Sequence, residues 1–124
     1  MDEEFVARSG KPSRCWFWID NEYLNGFAKH LGPIGTAIYV SLCRHAHKDE
    51  QICFPSQETI AEECGISART VMRYIKTFEK YRIIWVERSK DPFTKKQRSN
   101  VFHLLDKVEW LKPSDPVSRG IGDT

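Results

Sequence analysis

No run in this 124-residue sequence approaches the roughly 20 consecutive apolar residues that a helix needs to cross a bilayer. A membrane-spanning protein is therefore not expected. The opening "MDEEFVARSG" is acidic where a secretory signal would be basic and then apolar, so the expectation is a cytoplasmic protein without a membrane partner. Cysteine is also sparse. Cys15, Cys43, Cys53 and Cys64 stand singly, without the close pairing of zinc ribbons or redox dithiols, and are read as reduced residues of core type. Cys43, His45 and His47 form a C-x-H-x-H string, but residues two apart on a helix do not share a face. Neither a metal nor another cofactor is expected. The sequence further lacks a P-loop, a G-x-S-x-G elbow, an H-E-x-x-H motif and a local carboxylate pair beside a histidine, so an enzyme is not expected either.

Charge of one sign is missing from the whole but not from its parts. The net charge is only +2. Between Gly65 and Asn100, however, ten basic residues face three acidic ones, a surplus of seven, which leaves 9 basic and 14 acidic residues elsewhere. Such segregation creates a local field that attracts a polyanion to one side of the molecule.

With 40% of residues apolar, a chain of this length can bury one modest core. Residues 1–14 read as a mobile leader, 15–106 as the domain, and 107–124 as a tail with one short helical stretch around Val108, Trp110 and Leu111 before Pro and Gly take over. The run "CWFWI" (15–19) is expected to pack over the core, with a dimer contact as the alternative use of Trp16 and Trp18. Asp20 is placed to cap a short helix. Pro33 suits the first turn of a helix over 32–47, with Ile34, Ala37, Ile38 and Leu42 at helical spacing. "ICF" (52–54) is a short strand candidate before Pro55.

Ser56 then caps a helix running to Cys64, with Glu58 in its first turn. Gly65 ends it, because the left-handed residue after a helix is cheapest as glycine. Ser67 caps a second helix reaching about Tyr81. "IIWVER" (83–88) and "VFHLL" (101–105) read as a hairpin whose loop holds Lys95, Lys96 and Arg98. Setting Val71 to zero on a wheel of roughly 100° per residue, Ile75 and Phe78 fall within about 40° of it, while Arg69, Arg73, Lys76 and Lys80 lie at about 140° to 200°. The second helix thus has a buried stripe and, opposite it, a basic one.

Helix, strand, helix, tight turn, helix and basic hairpin make the plan of a winged helix-turn-helix. From Phe17 to Leu105 the chain resembles the winged-helix domains of bacterial regulators and of the N-terminal parts of many phage and plasmid replication proteins. The sharpest stretch is "CFPSQETIAEECGISARTVMRYIKTFEKYRII" (53–84), which carries F-P-S-x-x-x-I-A and then G-I-S-x-x-T-V. The fold class expected is α+β, a three-helix core with a small antiparallel β-sheet wing. The resemblance implies sequence-specific binding of double-stranded DNA, in transcription control or in replication initiation of a mobile element. A protein-interaction module using the N-terminal aromatic segment is the alternative.

A recognition helix enters the major groove with its N-terminal residues at the base edges. That singles out Ser67, Ala68, Arg69, Thr70 and Arg73, with Arg69 and Arg73 able to fork onto guanine. Lys76, Thr77 and Lys80, farther along, fall to the phosphates, as do Gln57 and Thr59 at the start of the supporting helix unless they serve as caps. Lys95, Lys96 and Arg98 would follow the backbone or enter the minor groove. A homodimer through the N-terminal aromatics or the C-terminal region is the further partner considered. Where the family often has glycine before the wing, this chain has Tyr81-Arg82, so either Arg82 takes a left-handed conformation or the helix ends differently.

Overall fold

A computed structural model describes residues 4–8, 16–47, 49–88, 92–94 and 100–113. Its elements are α1 (Phe27–His45), β1 (Ile52–Cys53), α2 (Gln57–Cys64), α3 (Ala68–Lys80), β2 (Ile84–Glu87) and β3 (Val101–Leu104). Three helices and a three-stranded antiparallel sheet of order β1-β3-β2 give the α+β architecture of a winged helix.

The caps follow local chemistry. The Asp20 side chain accepts from the Glu22 N–H at 2.8 Å and opens a short 3-10 helix, Asn21–Leu24. Ser56 and Ser67 each accept at 3.1 Å from the N–H three residues on, satisfying one of the free donors at the start of α2 and of α3. At the end of α2, Gly65 adopts φ 70°. The Gly65 N–H donates to the Glu62 carbonyl and the Ile66 N–H to the Ala61 carbonyl, the paired bonds of a Schellman motif. Ile66 is thereby turned against the core.

The first helix departs from expectation. It begins at Phe27, before Gly32, and is broken at Gly32, whose φ of 76° and ψ of 179° are non-helical. A residue before proline is pushed out of the helical region, and glycine alone takes this conformation freely, so Pro33 restarts the helix in a new direction. The buried stripe after the break is Gly35, Ile38, Tyr39, Leu42 and Cys43, whereas Ile34 is exposed. α1 ends at His45, because His47 and Gln51 instead close a loop through the Ile52 and His47 carbonyls.

The core joins all elements. Val71, Ile75 and Phe78 are buried along α3 as the wheel requires. In the sheet, the register pairs buried Val86 with buried Phe102, and exposed Trp85 with His103, so alternate residues face core and solvent. Trp110 lies beyond the second wing strand and is buried, edge-on to Phe27 at 5.1 Å, with its indole N–H donating to the Leu105 carbonyl. The aromatic run expected over the core is mostly outside it. Ile19 packs against the core, but Phe17 and Trp18 are exposed, because Tyr23, stacked on Tyr39 at 4.5 Å, fills the place over α1. Burial pushes the thiols of Cys43 and Cys53 up to about 12, which makes them inert fillers of the core.

Arg82 takes the left-handed conformation, with φ 57°. The turn is held because the Ile83 N–H donates to the Phe78 carbonyl and Tyr81, buried, accepts from the Leu111 N–H at 2.8 Å. Those bonds fix how β2 leaves α3.

Candidate DNA interface

α2 and α3 are joined by Gly65, Ile66 and Ser67, and α3 presents one full side to solvent. On that side Arg69, Arg73, Lys76 and Lys80 are all exposed. None of the four forms a salt bridge with a described residue. The other two described cations of the basic segment, Arg82 and Arg88, behave differently. Arg88, at the end of β2, donates to both carboxylate oxygens of Glu79 at 3.0 and 2.8 Å, a pair that raises the guanidinium pKa. Arg82 donates to Glu109 at 3.1 Å. The surplus read from the sequence is therefore partly neutralised by tertiary pairing, and the unpaired charge among the described residues concentrates on α3.

The hydroxyl residues serve mainly the helix itself. Thr70 shares a hydrogen bond of 3.0 Å with Ser67, and Thr59 one of 2.9 Å with Ser56, so each cap is doubled. Thr77 donates to the Arg73 carbonyl at 3.3 Å. Ala68 is half-buried against the core. Ser67 is exposed at the mouth of α3. Gln57 lines a cleft of about 560 Å³ between α3 and the base of the wing, with Met72, Ile75, Lys76, Arg88, Asn100 and Phe102. Lys95, Lys96 and Arg98 lie outside the described residues.

Glu79, Tyr74 and Asn100 were not legible in the sequence as contributors to this surface. Met72, Lys76 and Glu79 lie at about 80° to 140° from Val71, the side turned to the wing, and there Glu79 meets Arg88. No sequence spacing signals that pair. Tyr74 is half-buried and carries the Arg73 guanidinium over its ring, Cζ to centroid 5.7 Å. Asn100 borders the cleft from the start of β3.

His45 bonds to Glu63, His47 lies edge-on to Phe54, and Cys43 is buried. Among the described residues, no group of three or more His, Cys, Asp or Glu side chains is placed to hold a metal ion. No helix of the described residues is long and apolar enough to cross a membrane.

Three helices with a short turn between the last two, a small antiparallel sheet and an exposed basic face on the last helix form the arrangement of a winged helix-turn-helix fold. Residues 29–84 match a family model described as a helix-turn-helix domain. No curated protein and no solved structure matches the chain. The match runs from α1 to the first residue of β2, and a domain of this kind suggests DNA as the partner class.

Proposed function

We propose that the protein binds double-stranded DNA in a sequence-specific manner, with α3 in the major groove and the wing on the adjacent backbone. One observation carries this reading. Arg69, Arg73, Lys76 and Lys80 line the exposed side of the second helix of the helix-turn-helix, without a salt bridge to a described residue, while Arg82 and Arg88 are paired. A charged outer face is ordinary on any helix, but here it belongs to the element that docks in the groove in this class of fold. Arg69 and Arg73, nearest the start of α3, read base edges, and Lys76 and Lys80 hold phosphates. Ser67, Ala68, Thr70, Gln57 and Thr59 contribute through backbone N–H groups and polar side chains at the two helix starts, and Thr77 stands farther along α3 beside Lys76 and Lys80. Lys95, Lys96 and Arg98 supply the wing's phosphate contacts. The process served is transcription control or replication initiation of a mobile element, in the cytoplasm.

A fluorescence titration of duplex DNA across a salt series tests the reading. Contacts with roughly 5 to 8 phosphates give a log–log slope of about −4 to −7. A slope near zero would remove the electrostatic basis of the proposal. A second reading, a protein-interaction module or homodimer, draws on Phe17 and Trp18, exposed at 42% and 62%. It requires that the basic face be dispensable, and the same titration on an Arg69→Ala, Arg73→Ala double variant decides that point.

A further inference from the structure

Tyr74 lies at the edge of the core, packed against it but only half-buried. Its neighbours Val71, Ile75 and Phe78 are at most 2% exposed and purely apolar, whereas Tyr74 is half-buried. Two contacts define it. The ring lies so close to the α1 backbone that a Cβ at buried Gly35 would stand 3.2 Å from both Cδ1 and Cε1. The Arg73 guanidinium lies over the same ring at 5.7 Å, inside the range of a cation–π attraction. Contact with Gly35 could be made by any apolar side chain of similar size. Attraction of a guanidinium requires an aromatic face.

Arg73 is exposed and has no salt bridge to a described residue, so its long side chain would otherwise have many rotamers to lose on meeting a base pair. We propose that Tyr74 is a positioning residue for Arg73: seated on α1 at Gly35, it holds the guanidinium in a restricted orientation before DNA arrives. The absence of a side chain at Gly35, which Leu31 Cβ at 2.9 Å already requires within α1, also leaves room for the ring to sit against that helix. This inference rests on the proposed role of α3 in reading bases.

The test begins without DNA. In the free protein, NMR of Arg73 should show upfield ring-current shifts on the side chain and a restricted Nε–Hε vector. Both should persist in Tyr74→Phe and vanish in Tyr74→Leu, read below the melting midpoint of each variant. Freely averaged Arg73 resonances in the unsubstituted protein overturn the proposal, whatever the variants do.

Binding comes second, using a duplex enriched from random sequence and a random duplex as probes. Tyr74→Leu should lower the ratio of the two affinities about two- to fivefold, the size of an exposed cation–π contact, while the random-duplex affinity stays put. Tyr74→Phe should retain the ratio, and in an Arg73→Ala background Tyr74→Leu should lower it no further. A loss of equal size in that background means that Tyr74 acts through the fold alone and overturns the proposal. An Arg73→Ala variant with the original ratio overturns the underlying reading, and the two failures are distinct because the ring-current shifts are measured with no DNA present.

Discussion

Both oxygens of the Glu79 carboxylate accept from the guanidinium of Arg88, at 3.0 and 2.8 Å, tying the last turn of α3 to the end of β2. A carboxylate on α3 and a cation at the root of the wing thus cancel each other beside the face proposed to meet DNA. Glu79→Gln should cost only about 0.2 to 1 kcal/mol of stability, because both side chains are partly exposed. It should nevertheless tighten binding to random duplex and steepen the salt slope by about one, as Arg88 becomes free for a phosphate. Weaker binding with an unchanged slope would mean that the pair positions the wing and does not mask charge.

The two left-handed turns flanking α3 respond in opposite ways. At Gly65 a Cβ would meet nothing within 4 Å, so the cost of Gly65→Val is backbone strain alone, roughly 1 to 3 kcal/mol. At Arg82, with φ 57°, glycine relieves strain and removes an exposed pair with Glu109, so Arg82→Gly should be neutral or stabilising by up to about 1 kcal/mol. Denaturant midpoints of the two variants should therefore move apart. Equal shifts would show that the turns are governed by something other than φ.

Reading and holding should separate by residue. Arg69→Ala or Arg73→Ala should cost roughly 1 to 3 kcal/mol on the preferred duplex and relax choice at one or two positions. Lys76→Ala, Lys80→Ala and the wing substitutions Lys95→Ala and Lys96→Ala should weaken all sequences alike and flatten the salt slope by about one each. If the lysine variants lose discrimination and the arginine variants keep it, the start of α3 is not the reader.

Acid should loosen the joint between α1 and α2. Glu63 accepts from Ser41 at 2.7 Å and His45 at 2.9 Å and pairs with Arg44 at 3.2 Å. The Ser41 bond, aided by His45 and Arg44 against the opposing effect of burial, holds its carboxyl below the ordinary value of 4.5. A group depressed in the folded state stabilises fully above its unfolded value, and that contribution is lost as pH falls through the folded one. Stability should thus fall below about pH 4.5, and Glu63→Gln should be destabilised at pH 7 by about 1 kcal/mol while losing part of the acid dependence. Chemical denaturation at a series of pH values checks this. Parallel curves for the two proteins would exclude Glu63 as a source of the acid sensitivity.

What could be read in the sequence was whatever depends on four or five neighbouring residues. Ser56, Gly65 and Ser67 set the limits of α2 and the start of α3 because capping bonds span three residues and the left-handed turn needs only the glycine itself. The stripe of Val71, Ile75 and Phe78, and the basic stripe opposite, follow from the helical period. The same reasoning went astray where two local signals competed. Pro33 marks a helix start, but the start of a second segment after Gly32, so the stripe passes through Gly35 and leaves Ile34 outside. Composition also placed Phe17 and Trp18 over the core, a site that Tyr23 takes.

Only the tertiary structure decided which charges remain available and what surrounds them. Arg88 and Glu79 are nine residues apart, and Arg82 and Glu109 twenty-seven, so no periodicity announces their pairing. Trp110 joins the core, and Gly35 meets Tyr74, through contacts between segments that are distant along the chain. Arg82 itself had two readings in the sequence, and the choice fell to long-range bonds such as that from the Leu111 N–H to the Tyr81 carbonyl. The physical reason is one of range. Caps and helical faces are fixed by bonds and sterics within a turn, whereas ion pairs, close helix crossings and the exit of a strand depend on where the packed core brings distant segments together.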